Sequence, residues 1–395
     1  MNANKTRAEH SLPALVEGIQ TPALIWNMDI LDERLAALAG FAERQDCALL
    51  YSVKASGVGA VLKKLAPIVS GFACSSPFEA RLARQVIGEE GSVHLTSPAL
   101  HPGDLSALKD SCDHISFNSL QQWTSLREAF GDNIRCGIRV NPGISIVGDP
   151  RFDPCRENSK LGIPIAALAE AYEKSPEDFG GVDGLHIHTA CGNRSFKGLA
   201  ESVGKIETAL PELMRRIRWF NLGGGYFFDK IRKTKTFADT VLRLRRDYGL
   251  KVFIEPGTAM VQNAASVITT VVDIIETGPK EIAVLDTSVN HMPEVFTYQF
   301  RPPVKEARRG GGNTYILAGA TCLAGDLLGT YAFDQPLKIG QPLTIEKMGA
   351  YTHGQSHWFN GVNLPAIHTF SKKAGLKLER AFTFRDFMAR CAAGS

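Results

Sequence analysis

The sequence predicts a (β/α)8 barrel followed by a mostly β-structured domain. Eight short apolar or β-branched segments alternate with amphipathic helical patterns between residues 48 and 254, which is typical of a parallel barrel. No G-x-G-x-x-G motif follows the first segment, which argues against the alternative, a doubly wound open sheet. Beyond about residue 262, strand-like segments separated by Gly, Pro and Asn replace the helical patterns.

The hydrophobic periodicity places each element of this fold. The predicted barrel strands are 48–53, 68–74, 92–95, 114–117, 136–140, 184–188, 219–222 and 251–254. The helices between them are 58–66, 77–88, 102–109, 119–129, 165–174, 197–212 and 236–248. A strand at 21–27 and a helix at 28–44 come before the barrel, and strands at 264–275, 281–286, 315–318, 343–348 and 366–370 follow it. We expect residues 28–262 to form the barrel, and residues 1–27 and 263–395 to form the β domain.

Composition narrows the class of ligand. A chain of 395 residues exceeds one typical core, which indicates two domains. The formal charge of +3 is too small to indicate nucleic acid or a membrane surface, so a small molecule is expected.

The eight cysteines have neither C-x-x-C pairs nor metal-like spacing, and therefore predict reduced thiols and no metal site. Met1 to Pro13 lacks an apolar signal segment, and no run approaches the roughly 18 apolar residues of a membrane span, so a cytoplasmic location is expected.

Polar residues follow the predicted strands at the ends where such barrels place functional groups. They are Lys54, Cys74 to Ser76, Asn118, Arg139, Asn141, His186, His188, Cys191, Asn221, Gly223 to Tyr226, and Glu255. Lys54 is the most informative, because it ends an apolar strand. Two interpretations stay open: its side chain reaches water, or it is a desolvated amine whose lowered pKa allows a Schiff base with a carbonyl cofactor.

The other strand-end residues also allow structural interpretations. Gly223 to Gly225 form either a tight turn or a cradle whose N–H groups approach a phosphate. His188 is either a hydrogen-bonded core residue or a catalytic group, and Glu255 either caps a turn or pairs with a cation such as Arg139. Together they supply what pyridoxal phosphate requires: an amine, a phosphate cradle, a flat side chain for the ring face and a carboxylate for the pyridine nitrogen. That carboxylate keeps the nitrogen protonated, which favours loss of CO2 over a proton shuttle.

Further motifs extend this pattern along the chain. They are Asn221-Leu-Gly-Gly-Gly, Glu255-Pro-Gly, Leu285-Asp-Thr-Ser-Val-Asn-His-Met-Pro-Glu294, Gly319-Ala-Thr-Cys-Leu-Ala-Gly-Asp326, and Gly349-Ala-Tyr-Thr followed by Phe359-Asn-Gly361. With them the chain resembles the fold-type III pyridoxal phosphate-dependent decarboxylases, the group that contains the ornithine and diaminopimelate decarboxylases. Within that group it looks most like the carboxynorspermidine (carboxyspermidine) decarboxylases. The resemblance runs from Thr21 to Phe387.

The resemblance implies a role for each matching residue. The implied cofactor-binding residues are Lys54 as the Schiff-base amine, His188 on the ring face, Gly223, Gly224 and Gly225 at the phosphate, Glu255 at the pyridine nitrogen, Tyr351 at the phosphate, and Arg139. It also implies a head-to-tail homodimer with shared active sites. Cys322 would then come from the other subunit and protonate the carbon that has lost CO2, with Lys54 and His188 as the other catalytic residues. The alternative for Cys322 is a buried structural thiol.

The expected substrate is a basic amino acid with an extended amine chain. Ornithine decarboxylases place an acid directly after the cysteine, whereas this chain has Leu323, in agreement with the carboxynorspermidine group. We therefore expect conversion of carboxynorspermidine or carboxyspermidine to norspermidine or spermidine. Asp286, Glu294 and Asp326 are the candidates to bind its amines. Glu294 is equally open to interpretation as a solvated loop charge.

Three departures from that group leave the substrate open. They are Ser56-Gly57 after the lysine, Gly192 where a glutamate is usual, and His353 to Trp358, which brings extra imidazoles and an indole. Another diamino acid or conjugate, in a siderophore or specialised-metabolite pathway, is therefore an alternative. An isomerase resembling alanine racemase usually has an arginine where Glu255 lies, and a non-catalytic carrier or regulator need not keep Lys54, His188 and Cys322 together.

Overall fold

The computed structural model describes residues 18–278 and 280–392. They belong to two compact units, one of residues 35–260 and one of residues 18–34, 261–278 and 280–392. The predicted contribution of residues 1–17 to the β domain lies outside the described residues. Within the described ranges, no helix is both long enough and apolar enough to cross a membrane.

The elements follow the predicted alternation. The strands are β1 (Ala23–Asn27), β2 (Ala48–Ser52), β3 (Gly71–Cys74), β4 (Ser92–Ser97), β5 (His114–Phe117), β6 (Arg135–Asn141), β7 (Ile163–Pro164), β8 (Gly184–His186), β9 (Trp219–Asn221), β10 (Lys251–Ile254), β11 (Ala265–Glu276), β12 (Glu281–Leu285), β13 (Asn313–Ala318), β14 (Leu327–Phe333), β15 (Pro342–Glu346), β16 (Ala366–Ser371) and β17 (Gly375–Arg380). The α-helices are α1 (Met28–Arg44), α2 (Gly59–Leu65), α3 (Pro77–Ile87), α4 (Leu105–Ser111), α5 (Leu120–Phe130), α6 (Ile165–Lys174), α7 (Lys197–Ala209), α8 (Pro211–Arg216), α9 (Lys235–Tyr248), α10 (Thr258–Val261), α11 (Pro293–Thr297), α12 (Thr352–Gln355) and α13 (Phe384–Arg390).

The first unit is a closed barrel of parallel strands. The order is β2-β3-β4-β5-β6-β8-β9-β10, and β10 pairs with β2 to close the ring. This confirms the predicted barrel and excludes the open sheet. The predicted helix 197–212 is wrong in one respect: it is two helices, α7 and α8, because Pro211 starts a second helix after Leu210, whose φ is −134°.

Large rings fill the interior of the barrel because glycines make room for them. A Cβ on Gly184 would lie 2.0 Å from the Trp219 ring, and one on Gly137 would lie 2.5 Å from it. Next to Trp219 the rings of His94 and His114 stack with centroids 4.0 Å apart. Packed side chains therefore fill the interior of the barrel at the amino-terminal ends of its strands.

The second unit is built on a mixed sheet. Its strand order is β14-β13-β12-β11-β1-β16-β17, and β15 pairs with β11. The predicted strands in this unit are present, but the sequence analysis missed β14 and β17. Gly329 interrupts the apolar run of β14, and β17 is largely exposed, so neither carries a clear alternation of apolar and polar residues.

Candidate active site

A pocket opens at the carboxyl ends of the barrel strands. It encloses about 340 Å³ of space, including its open mouth. Its lining comes from six different strand ends and consists of Ser52, Lys54, Ala73, Cys74, Ser75, Thr96, Arg139, His186, His188 and Glu255. Seven of the strand-end residues predicted from the sequence thus share one pocket: Lys54, Cys74, Ser75, Arg139, His186, His188 and Glu255.

Lys54 lies in a short 3₁₀ turn, Val53–Ala55, that begins directly after β2. The turn is anchored nearby, because the Ser52 hydroxyl donates to the backbone carbonyl of Glu255 at 3.0 Å. Part of the Lys54 side chain is exposed at the pocket mouth, but its amine is surrounded by protein atoms. This desolvation lowers the pKa of Lys54, while the Glu255 carboxylate opposes the shift and Arg139 adds to it. A larger neutral fraction makes the amine a better nucleophile.

Glu255 is the buried carboxylate of the pocket, with 6 % of its surface exposed. Its Oε1 accepts a hydrogen bond from Asn221 Nδ2 at 2.6 Å, and its Oε2 lies 3.7 Å from His186 Nε2. Burial raises the pKa of Glu255, and the charge of Lys54 is the strongest effect that opposes this shift. The carboxylate is therefore oriented by the protein and faces a cation within the same pocket.

Two histidines of the loop that begins in β8 have different surroundings. His186 is buried, and its Nδ1 lies 3.0 Å from the Thr96 hydroxyl. His188 is half-buried, and its Nδ1 accepts a hydrogen bond from the Gly224 N–H at 3.3 Å. Burial, with the nearby cations Lys54 and Arg139, holds the pKa of both imidazoles well below the usual value. Both rings are therefore neutral at physiological pH.

The glycine segment packs against two neighbouring strand ends. A Cβ on Gly223, Gly224 or Gly225 would lie 2.3, 2.1 or 1.9 Å from the carbonyl oxygens of Ile187, Glu255 and Ala190 respectively. Gly223 and Gly225 also have left-handed φ angles of +69° and +83°. Close backbone approach therefore requires glycine at all three positions, independently of any ligand.

Arg139 lies two residues before the end of β6 and is 8 % exposed, so the pocket holds a buried cation besides Lys54. Burial lowers its pKa, and the negative charge of Glu255 opposes that shift. Among the described residues no ion pair or hydrogen bond joins Arg139 to Glu255, which contradicts the interpretation of the two as a salt bridge. The side chain of Asn118, which follows β5, donates a hydrogen bond to the Lys160 carbonyl and accepts one from the Gly162 N–H, each at 2.8 Å.

These groups fit pyridoxal phosphate. The pocket offers an amine of lowered pKa, a buried carboxylate, and a half-buried neutral imidazole beside the glycine segment. In addition, His186 Nε2 is buried and has no hydrogen-bond partner in the described part of the chain. The combination of an amine with a desolvated carboxylate is the one expected for a cofactor that carries both an aldehyde and a pyridine nitrogen.

Comparison with known proteins decides the family. Residues 31–262 match the family described as "Pyridoxal-dependent decarboxylase, pyridoxal binding domain". This chain is a pyridoxal-dependent decarboxylase. The decarboxylase is 33 % identical to a carboxyaminopropylagmatine decarboxylase of Synechocystis, over 95 % of this chain and 96 % of the relative. It is 31 % identical to a carboxynorspermidine/carboxyspermidine decarboxylase of Herminiimonas arsenicoxydans, over 94 % of this chain and 97 % of the relative.

A solved structure extends the similarity to three dimensions. The crystal structure of carboxynorspermidine decarboxylase from Campylobacter jejuni, complexed with norspermidine, matches with a TM-score of 0.84 and 29 % identity. The match covers 94 % of the decarboxylase described here and 100 % of that chain. The predicted fold, a barrel with a β domain, is therefore shared with this group.

In the β unit of the decarboxylase, Cys322 lies in the loop between β13 and β14. It is exposed, which excludes the alternative of a buried structural thiol. Tyr351 adopts a left-handed φ of 67° just before α12, and its half-buried ring lies edge-on to Tyr298. Trp358, which belongs to one of the three departures from the carboxynorspermidine group, packs against Phe382 and Phe387 of this unit.

The three acidic residues predicted to bind an amine differ in their surroundings. Asp326 is 2 % exposed and accepts hydrogen bonds from Val289 N at 2.8 Å, Ser288 Oγ at 2.9 Å, and Thr321 N at 3.1 Å. Asp286 accepts from the hydroxyls of Thr21 and Thr269 and from Thr270 N. Both carboxylates thus accept several hydrogen bonds inside the unit, and their role as amine-binding groups stays a prediction.

Glu294 behaves differently. It is 5 % exposed, the hydroxyl of Thr352 donates to its Oε1, and its Oε2 has no partner among the described residues. Burial raises the pKa of Glu294 to about 7. The interpretation of Glu294 as a solvated loop charge is therefore wrong, and it is the one predicted acid with a free carboxylate oxygen.

Sequence reasoning gave no role to Ser52 or Thr96, although both line the pocket. Ser52 stands two residues before Lys54, and Thr96 belongs to β4, so the two-residue alternation of a strand is the signal that points to them. Their side chains hold Glu255 and His186, respectively.

Proposed function

We propose that this decarboxylase removes CO2 from carboxynorspermidine or carboxyspermidine and releases norspermidine or spermidine. The observation that carries the proposal is the full-length similarity, at about 31 % identity, to enzymes named for these substrates in Herminiimonas arsenicoxydans and Campylobacter jejuni. Loss of CO2 also agrees with the pocket, because its buried Glu255 carboxylate is able to keep a pyridine nitrogen protonated, which makes the ring a stronger electron acceptor.

Four parts of the site have a task in this proposal. When bound, pyridoxal phosphate supplies an aldehyde for the substrate amine and a ring that accepts electrons from the carbon losing CO2. Lys54 provides the amine that holds the cofactor and yields to the substrate. Glu255, oriented by Asn221, holds a proton at the ring nitrogen, and neutral His188 offers a flat face for the ring. The close-packed Gly223 to Gly225 segment is the proposed phosphate site.

Glu294 is the proposed binding group for the distal amine of the substrate. Its buried Oε2 lacks a partner, and an ammonium ion would supply both a charge and a hydrogen bond. Because its pKa is about 7, the ionised fraction rises with pH, so we expect substrate binding to strengthen as pH increases through that value. Leu323, exposed beside Cys322, leaves the position of the ornithine-binding acid apolar.

We further propose a cytoplasmic homodimer in which Cys322 of one copy protonates the former α-carbon in the site of the other. The support is the family resemblance together with the exposure of Cys322, which leaves its thiol accessible. Tyr351 is proposed to contact the phosphate, and Arg139 to contact the cofactor as a buried cation.

A second candidate substrate is favoured by one relative. The Synechocystis enzyme, 33 % identical over nearly the whole chain, is named for carboxyaminopropylagmatine. That compound also joins an amino acid to an amine chain, but it ends in a guanidinium group. A buried carboxylate such as Glu294 is able to bind either cation.

The test is CO2 release from purified protein with carboxynorspermidine, carboxyspermidine, carboxyaminopropylagmatine, ornithine and diaminopimelate. We expect the visible absorbance of a lysine-bound cofactor and the highest kcat/KM with the carboxypolyamines. A preference for carboxyaminopropylagmatine would change the proposed substrate but not the proposed reaction. Cofactor absorbance without CO2 release from any of the five compounds would contradict the proposed substrate class.

Glu294→Gln sharpens the test of the amine site. We expect it to raise KM for the preferred substrate by about tenfold or more, because a charged hydrogen bond is lost. Glu276→Gln, at the exposed end of β11, is the matched control and should leave KM unchanged.

A further inference from the structure

The loop that presents Cys322 is held by hydrogen bonds on both sides of the cysteine. Gly319 N donates to the Asp326 carbonyl at 2.8 Å, Ala320 N to the Thr287 carbonyl at 2.9 Å, and Thr321 N to the Asp326 carboxylate at 3.1 Å. The N–H of Cys322 donates instead to Asn360 Oδ1 at 2.8 Å. The backbone of the cysteine is thus fixed by a side chain 38 residues further along the chain.

Asn360 has a backbone conformation that few residues adopt without strain. Its φ of 53° and ψ of 13° lie in the left-handed region, inside the short turn Phe359–Gly361. Asparagine is enriched in this region because its short amide side chain tolerates it. The atom that faces Cys322 is necessarily the amide oxygen, because a backbone N–H needs an acceptor. Asparagine therefore meets two requirements at once, the left-handed backbone and the acceptor.

Aromatic packing holds the turn in place. The Trp358 ring lies 5.8 Å from the Phe382 ring and 6.4 Å from the Phe387 ring, and the Arg390 guanidinium lies 5.9 Å from the Trp358 ring. A Cβ on Gly361 would be 3.5 Å from Phe387. The helix α13 and Phe382, in the segment between β17 and α13, thus support the turn from which Asn360 reaches Cys322.

From this geometry we infer that Asn360 is a positioning residue for the Cys322 thiol. The inference rests on the proposed role of Cys322 as a proton donor. Proton transfer requires the donor within hydrogen-bond reach of its target, and a displacement of about 1 Å lowers rates by roughly 100-fold. The Asn360 hydrogen bond sets the peptide plane on the amino side of Cys322, and therefore the direction in which its side chain leaves the loop. This gives the Phe359-Asn-Gly361 motif a task in catalysis.

Two substitutions separate the acceptor from the backbone conformation. Asn360→Gly keeps the left-handed conformation at no steric cost and removes the acceptor. Asn360→Asp keeps both, because aspartate also tolerates positive φ. Asn158→Gly is the matched control, since Asn158 has a similar φ of 56° but belongs to the barrel unit.

The first readout does not depend on activity. Amide hydrogen exchange of the peptide 319–326 reports the Cys322 N–H directly. We expect faster exchange in Asn360→Gly, and exchange as in the wild type in Asn360→Asp and Asn158→Gly. Wild-type exchange in Asn360→Gly would overturn the inference, because the hydrogen bond would then not hold the loop.

The second readout is the fate of the reaction. Asn360→Gly should lower kcat by roughly 10- to 100-fold, with little change in KM. It should also raise the fraction of turnovers in which water supplies the oxygen of a carbonyl product and the substrate's amino group stays on the cofactor, because the proton has then reached the wrong carbon. Asn360→Asp should restore both. If Cys322→Ala alters the rate and the products while Asn360→Gly alters neither, the inference fails and the proposed role of Cys322 stands. If Cys322→Ala alters neither, both fail.

Discussion

The barrel contains two pairs of buried or half-buried histidines, His94 and His114 in β4 and β5, and His186 and His188 at the carboxyl end of β8. His94 and His114 stack in the interior, with their planes 3° apart, against Trp219 and Phe253. His186 and His188 line the pocket at the carboxyl ends, beside charged groups. Burial lowers the pKa of all four imidazoles, to about 4 for His114. The direction of the shift does not distinguish the pairs.

What distinguishes them is the surroundings. The interior pair contacts aromatic rings, and glycines at positions 137 and 184 let those rings fill the space. The pocket pair faces the carboxylate of Glu255 and open space, with two cations nearby. A neutral buried histidine therefore indicates a functional site only when charged partners and room for a ligand accompany it.

The largest expected effect is in the pocket. Lys54→Ala should abolish both turnover and the absorbance of lysine-bound cofactor, because no other amine lines the pocket among the described residues. Lys251→Ala, at the exposed start of β10 near the interior histidines, should leave both unchanged. Normal turnover in Lys54→Ala would show that the pocket is not the reaction site.

Glu255→Gln should have the next largest effect. The amide still accepts from Asn221, so the geometry is kept while the negative charge is lost. We expect kcat to fall by roughly 100-fold or more, within the range typical of acid–base groups. The change should also lower the pKa of Lys54 further, because Glu255 now raises it. A kcat within twofold of wild type would argue against a role for this charge.

Protonation of the interior pair should contribute to the loss of stability in acid. The folded pKa of His114, about 4, lies below the unfolded value near 6.5, so the unfolded chain binds more protons between these values. Stability is complete above about pH 6.5 and decreases as pH falls to about 4. From pH 7 to pH 5 the loss from His114 is at most about 2 kcal/mol.

Replacing both interior histidines with Phe should remove this dependence. Urea unfolding of His94→Phe/His114→Phe at pH 7 and pH 5 measures it, with wild type as the reference. The same replacement in the pocket pair would abolish activity, so only the interior pair allows a stability test in an active enzyme. An equally steep loss of stability in the double variant would assign the acid sensitivity to other groups.

The smallest expected effect comes from removing one hydroxyl group beside each pair of histidines. Ser92 Oγ lies 2.9 Å from His94 Nε2, and Thr96 Oγ1 lies 3.0 Å from His186 Nδ1. Ser92→Ala and Thr96→Val should each lower the free energy of unfolding by about 1 kcal/mol, the typical value for one hydrogen bond. Only Thr96→Val should also shift the pH profile of kcat, because His186 adjoins Glu255. A shift in both variants would remove the distinction between the two regions.

Much of the fold was predictable because it depends on local patterns. Short apolar segments and amphipathic helices alternate along the chain, so the barrel and most element bounds follow from the periodicity of neighbouring residues. The position of Lys54, His188 and Glu255 in one pocket followed as well, since parallel strands end on the same face. The β unit was less predictable, because β14 and β17 carry weak alternation.

The sequence by itself determined the barrel, the strand ends that form the pocket, and the chemical groups available there. Only the tertiary structure decided which of those groups are engaged. Nothing in the sequence shows the hydrogen-bond partners of Asp286 and Asp326, yet both accept hydrogen bonds from other segments of the chain, whereas Glu294 Oε2 has no partner among the described residues. Asn360 contacts Cys322 across 38 residues, which no local pattern shows. The physical reason is that periodicity reflects short-range order, while the partner of a polar group is set by segments that approach only when the chain is folded.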